Sequence, residues 1–198
     1  MDDIKEVFGN ITQVDIENTG CLAFNQMILQ NFFPIEELTI RTENFQDWKI
    51  PQSLLVQKFV RLNLIDSGLD VSITLNDLLF INSQGITVEN PQMPQKLLNK
   101  FIKLWQKGSN PHMEYLCIHY FGGEEHDKEI VLRGIKHNLN PLDQVKKFKV
   151  VGYKCPIEAR GGMDVYRKDG VKATITYEIS HEYSIWDMFV WMDHCVVE

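Results

Sequence analysis

Cys117 and His119 are residues whose types and close spacing could support nucleophilic catalysis. A thiol becomes an effective nucleophile when a base lies within hydrogen-bonding reach. Side chains two positions apart on one strand are about 7 Å apart, too far for a direct hydrogen bond. We therefore expect Cys117 and His119 to be polar residues of a binding surface, and we predict that the protein is not an enzyme.

The histidines suggest metal binding as a second chemistry. His112, His119 and His126 recur at a regular spacing, but they fall across a predicted strand, a turn and a helix start. A zinc site needs a tighter group of His, Cys or carboxylate ligands. The glycine pairs at 122–123 and 161–162 belong to no phosphate-binding motif. The sequence therefore predicts no metal and no cofactor.

Composition and charge narrow the class of protein. The 198 residues are 44% hydrophobic and 24% charged, as in an ordinary globular chain, and the net charge is −7. An acidic chain lacks the basic footprint that nucleic acids require. The four cysteines form no C-x-x-C pair, and no signal peptide or membrane-length apolar run is present. We expect an intracellular protein of the cytoplasm or nucleus, with no nucleic-acid or membrane partner.

A short pattern occurs five times, in which two apolar residues flank one position whose residue type varies. Its first apolar residues are separated by steps of 24, 24, 24 and 30 residues, and they are Val14, Leu38, Leu62, Ile86 and Leu116. This period and spacing are typical of leucine-rich repeats, although the usual Asn or Cys of the turn is missing. The pattern predicts an α/β fold: a leucine-rich-repeat-like solenoid of about five strand–helix units.

Helices between the strands and a different C-terminal region complete this prediction. The clearest apolar stripe covers residues 97–105, between Pro94 and Gly108, a capped helix is expected from 72–79, and a last helix from about 127–139. Further on, we expect strands at 148–151 and 183–192 and a hairpin at 163–175. We therefore predict a degenerate solenoid at 1–140 and a β-rich cap at 141–198, because a solenoid end needs covering.

Alternation along each strand assigns a face to every residue. The apolar pairs point toward the helices, and the residues between and beside them form a concave face. The predicted protein-binding residues on this face are Arg41, Arg61, Asn63, Ile65, Thr87, Glu89, Tyr115, Cys117 and His119. We expect the anchors to be Arg41, Arg61, Ile65, Tyr115 and His119, because Arg and Tyr are common in interface hot spots.

Several segments resemble a known family. TLNDLLFINS at 74–83, LNKFIKLWQKGS at 98–109, EYLCI at 114–118, GGMDVYRKDGVKATI at 161–175 and FVW at 189–191 are similar to the nematode F-box-associated domain of the second type. The resemblance implies a substrate-recognition domain of a cullin ubiquitin ligase, in which an F-box docks on a Skp-type adaptor. The first repeat strand begins near Ile11 and leaves no room for an F-box, so a link to a cullin–Skp-type ligase is doubtful for this chain.

The sequence thus predicts a non-enzymatic protein–protein interaction module whose partner is an unidentified protein. A free-standing binder or a decayed paralogue without ligase association is the alternative, and an enzyme with an unrecognised site in the cap remains a further one. A deep pocket lined by His181, Asp187 and His194 would favour the enzyme, whereas an open concave sheet would favour the binder.

Overall fold

A nine-stranded mixed sheet is the main element of the fold. The computed structural model describes residues 11–17, 20–32, 34–66, 73–91, 93–121 and 128–197. Five parallel strands form one half of the sheet, each beside the next in the chain: β1 Gln13–Ile16, β2 Glu37–Arg41, β3 Arg61–Ile65, β4 Gly85–Glu89 and β5 Tyr115–Phe121.

The later strands complete this sheet and build a second one. They are β6 Asn138–Leu139, β7 Val145–Phe148, β8 Ile157–Arg160, β9 Met163–Tyr166, β10 Lys172–Ile179, β11 Tyr183–Val190 and β12 Val196–Val197. Strand β11 pairs antiparallel with β5 and extends the main sheet through β10, β9 and β6. The second sheet has the order β12-β7-β8.

The α-helices are short except for two. They are α1 Leu22–Phe32, α2 Gln52–Leu55, α3 Leu75–Phe80, α4 Gln95–Gln106 and α5 Lys128–Leu132. Helix α3 begins with a capping box, in which the Thr74 hydroxyl accepts from the Asp77 N–H and the Asp77 carboxylate accepts from the Thr74 N–H. Helix α4 begins after Pro94 and ends just before Gly108, whose φ of +108° suits glycine.

The predicted strand positions in the parallel half are confirmed. Val14 pairs with Leu38, Leu38 with Leu62, Leu62 with Ile86, and Ile86 with Leu116, so the sequence period is the register of the sheet. These apolar residues face the helices and form the main core with α4 residues such as Phe101 and Trp105. The predicted hairpin around Asp169–Gly170 is also confirmed by the antiparallel pairing of β9 with β10.

The predicted fold class is wrong. Across the residues that the structure describes, the fold is mostly β-sheet, with one mixed sheet of nine strands and one of three, and it is not a strand–helix solenoid. The fifth parallel strand is not an open end, because β11 returns and pairs along it from Phe121 to Tyr115. The division at residues 1–140 and 141–198 stays a prediction.

The bounds of two predicted elements differ from those in the structure. The last helix, predicted for 127–139, is limited to the five residues of α5. The chain turns after Leu132, and residues 138–139 join the main sheet as β6. The strand predicted at 148–151 lies earlier, at β7. Ser72, His126 and the glycine pair at 122–123 lie outside the described residues.

The second sheet packs on the face of the main sheet that the helices leave uncovered. Phe148 of β7 is fully buried, and its ring lies 5.3 Å from that of Phe189 and 6.5 Å from that of Tyr115. Val150, Ala159 and Cys195 join this second core. The main sheet therefore has helices on one face and a partial β layer on the other.

Candidate functional site

The open face is the part of the main sheet that lies opposite the helices, on strands β2 to β5. The parallel register places its residues in three rows across the strands. The first row is Glu37, Arg61, Gly85 and Tyr115; the second is Thr39, Asn63, Thr87 and Cys117; the third is Arg41, Ile65, Glu89 and His119. All nine predicted binding residues lie in these rows, and their role in binding stays a prediction.

The first row is covered by other parts of the chain. Tyr115 is only 6% exposed and belongs to the second core. Arg61 forms an ion pair with Glu37, and the ring of Tyr153 lies 4.7 Å from the Arg61 guanidinium. Tyr115 and Arg61, two of the expected anchors, thus have internal partners and stabilise the packing between the sheets.

The second row ends at the half-buried carboxyl group of Asp187. The Tyr115 hydroxyl donates to Asp187 of β11 at 2.7 Å, and Asp187 lies opposite Cys117 in the antiparallel register. Burial raises the pKa of Asp187, and the hydrogen bonds from Tyr115 and Cys117 only partly offset that effect. At the other end of the row, the Asn63 amide donates to the Thr39 hydroxyl at 3.1 Å.

The chemistry of Cys117 is that of a protonated thiol. Burial, and then the charge of Asp187, raise the pKa of Cys117 well above its ordinary value. The thiolate is the reactive form of cysteine, and here it is disfavoured at neutral pH. The arrangement therefore supports the interpretation of Cys117 as a surface-lining residue and not as a nucleophile.

The third row, like the second, is partly accessible to solvent along its whole length. Arg41, Ile65, Glu89 and His119 are each half-buried, so their backbones are fixed while part of each side chain meets solvent. The row ends at an aromatic group, because the His119 ring lies 4.3 Å from Phe121 and 5.3 Å from Tyr183. Phe121 is 53% exposed.

Phe121 and Tyr183 are absent from the predicted binding residues. Phe121 could have been found from alternation, since it follows Cys117 and His119 at the next outward position of β5. Four aromatic residues lie in or just after β11: Tyr183, Trp186, Phe189 and Trp191. Trp186 lies in the main core, Phe189 lies in the second, and Trp191 packs against the second. Tyr183 stays half-exposed beside His119.

The three residues named for an enzyme pocket lie in different surroundings. Asp187 contacts Tyr115 on the open face, whereas His194 lies 2.9 Å from Glu114. His181 is exposed in the turn between β10 and β11. The cavity beside His194 is lined by neither His181 nor Asp187, so the geometry that would favour an enzyme is not formed by these residues.

Comparisons with known proteins identify one family. Residues 50–118 match the F-box associated family. The matched segment runs from two residues before α2 into β5 and includes α2, α3 and α4. It carries seven of the nine predicted binding residues, from Arg61 to Cys117. No curated protein and no solved structure matches the chain. Within the described residues, no helix is both long and apolar enough to cross a bilayer.

Proposed function

Because residues 50–118 match the F-box associated family, we propose that this chain is a protein-binding module that captures its partner on the second and third rows of the open face. The observation that carries the proposal is the row Arg41, Ile65, Glu89 and His119, fixed on four adjacent strands and half-accessible to solvent. Rigid strands hold such side chains at small conformational cost on binding.

The chemistry of these rows fits a protein partner. Arg41 and Glu89 supply opposite charges, Ile65 lies between them, and the neighbouring row supplies hydroxyl and amide groups at Thr39, Asn63 and Thr87. Protein interfaces combine apolar contact with about one hydrogen bond per 100–200 Å². With a net charge of −7, the chain has little attraction for phosphate backbones.

The family resemblance gives this surface a biological context. In the F-box proteins that the chain resembles, an F-box docks on a Skp-type adaptor and the associated domain captures the protein to be ubiquitinated. We propose the same capture role for the open face. A free-standing binder without ligase association is the alternative, and recovery of a Skp-type adaptor together with a target would favour the ligase role.

The proposal is tested by quantitative affinity capture with three versions of the full chain. The open-face variant carries Arg41→Ala, Ile65→Ala and Glu89→Ala, and the control carries Lys96→Ala and Lys100→Ala on the exposed side of α4. Proteins retained by the wild type should be lost from the open-face variant and kept by the control. If both variants retain the same proteins with unchanged melting temperatures, the open face is not the binding surface.

A further inference from the structure

Three side chains with metal-binding donor atoms lie together where β5 begins: Glu114, His194 and Cys195. His194 Nε2 is 2.9 Å from Glu114 Oε1, and Cys195 Sγ is 3.6 Å from Glu114 Oε2. The three donor atoms all lie within 4.8 Å of one another. Across the described part of the chain, this is the one group of three or more His, Cys or carboxylate side chains so arranged.

Backbone hydrogen bonds fix this cluster from several sides. The Glu114 N–H donates to the Gln84 carbonyl at 2.8 Å, and the Glu114 carbonyl accepts from the Val190 N–H at 2.8 Å. His194 and Cys195 lie in a single 3₁₀ turn after β11, where the Cys195 carbonyl accepts from the Lys149 N–H at 2.8 Å. These bonds tie Glu114 and Cys195 to β11 and to residues beside β4 and β7, so the two ligands do not lie on a free loop.

The donor set and the distances fit zinc. Zinc accepts carboxylate oxygen, imidazole nitrogen and thiolate sulfur, and tetrahedral bonds of about 2.0–2.3 Å place donor atoms roughly 3.3–3.5 Å apart. The Glu114–Cys195 and Glu114–His194 distances require only small side-chain movements to meet that geometry. A carboxylate and a thiolate would also balance the two positive charges of the ion.

The cluster has access to solvent on one side. It borders a cavity of about 450 Å³ whose lining includes Glu114, His194, Gln84 and His112. The His194 side chain is 61% exposed, whereas that of Glu114 is 7% exposed and Cys195 is fully buried. A metal could enter past His194, and the cavity leaves room for a fourth ligand.

We propose that Glu114, His194 and Cys195 form a zinc-binding site whose fourth position faces this cavity. On binding, a Zn–S bond forms and the Cys195 thiol proton passes to solvent, with no change of oxidation state. The site is separate from the open face and is independent of the proposed partner binding. By linking the start of β5 to the turn after β11, the metal would stabilise the junction between the two sheets.

The competing interpretation is a hydrogen-bonded cluster that holds no metal. Glu114 already accepts from the Gln84 amide at 3.0 Å, as well as from His194 and Cys195. These bonds satisfy the buried carboxylate without an ion. The two interpretations differ in what happens when zinc or cobalt is added.

The test is a titration of the chelator-treated full chain with zinc chloride, followed by calorimetry, and with cobalt chloride, followed by absorption. We expect one bound ion per chain, a thiolate-to-cobalt charge-transfer band and a higher melting temperature with zinc. Cys195→Ser should abolish the band, and His194→Ala, at an exposed side chain, should weaken zinc binding by at least about tenfold. The matched controls Cys155→Ser and His181→Ala, both at exposed positions, should bind as the wild type does.

The outcomes separate the two interpretations. A cobalt spectrum without a thiolate band, a stoichiometry other than one, or equal zinc affinity in wild type and His194→Ala would overturn the proposal. Loss of binding in Cys155→Ser would also overturn it, since it would place the metal elsewhere. If Cys195→Ser does not fold, a wild-type spectrum without a thiolate band still overturns the proposal, and weaker zinc binding by His194→Ala still supports it.

Discussion

The outward face of the main sheet has two parts that share one strand pattern but differ in what covers them. Over β5 and β11 the outward residues Tyr115 and Phe189 are buried beneath Phe148 of the second sheet. Over β2 to β4 the outward residues of the second and third rows, such as Asn63 and Ile65, stay half-exposed. The second sheet thus covers one part of this face from within the chain, and the part without such a cover is the surface proposed above for partner capture.

The strongest test of this contrast is Phe148→Ala. Phe148 is fully buried and contacts the rings of Phe189 and Trp191, so truncation leaves a cavity between the sheets. We expect a loss of about 3–5 kcal/mol in the free energy of unfolding, measured by urea denaturation. Val145→Ala, at an exposed position of the same strand, is the control and should cost far less. Equal effects of the two substitutions would mean that the second sheet covers no core.

Two neighbouring substitutions on β3 compare the two faces of the main sheet where the second sheet does not cover it. Leu64 is fully buried toward the helices, so Leu64→Ala should cost about 2–5 kcal/mol in unfolding free energy. Ile65, the next residue, faces outward and is half-exposed, so Ile65→Ala should cost roughly 1 kcal/mol or less. A larger cost at Ile65 than at Leu64 would reverse the assignment of faces.

Asp164 of β9 provides a charged side chain with which to test the covered part of the outward face. Burial alone would raise the pKa of Asp164, but hydrogen bonds from Thr174 and Asn140 and the nearby ammonium groups of Lys146 and Lys172 lower it overall. Asp164→Asn keeps the shape and removes the charge, so we expect a loss of about 1–3 kcal/mol at neutral pH.

The pH dependence of Asp164→Asn follows from the lowered pKa. The folded state favours the ionised carboxylate, so the wild-type advantage is present above the ordinary aspartate pKa and is lost as pH falls through the lowered one. Thermal melts of both proteins between neutral pH and acid should therefore converge. Glu158→Gln removes an exposed ion pair with Arg160 and should change stability little. A constant difference at all pH values would contradict this role of the charge.

Asp187 lies at the border between the two parts of the outward face. It should show the opposite pH dependence of stability and the smallest change in melting temperature. Its pKa is raised, with burial as the main cause, so the folded state holds the proton more tightly than the unfolded state does. Stability should then fall as pH rises from the ordinary aspartate pKa through the raised one. Asp187→Asn removes that cost, so its melting temperature relative to wild type should increase from acid toward neutral pH. A relative decrease would mean that the Tyr115 hydrogen bond stabilises the ionised form.

The sequence predicts the parallel half of the fold well because the apolar pattern that specifies these strands is local and periodic. Each of Leu38, Leu62 and Ile86 repeats at the interval that sets the register, and alternation places Thr39, Asn63 and Thr87 on the opposite face. The solenoid prediction failed because periodicity carries no information about β11, which returns from the far end of the chain to pair with β5.

The open face and the proposed zinc site also differ in how far the sequence predicts them. The rows of the open face follow from strand alternation, but the burial of Tyr115 depends on Phe148, which lies on a separate sheet. The Glu114, His194 and Cys195 cluster could not be predicted from spacing, because Glu114 and Cys195 are 81 positions apart. Only the pairing of β5 with β11 and the turn after β11 bring them together.

The most direct test of the open face as the binding surface is site-specific photo-crosslinking in cells. A photoreactive amino acid is placed at position 65, on the third row, and separately at position 100, on the exposed side of α4. We predict a discrete covalent adduct from position 65 that is lost when Arg41→Ala and Glu89→Ala are added, and none from position 100. Adducts from position 100 alone, or an adduct at 65 that survives both substitutions, would contradict the assignment of the open face as the site of partner capture.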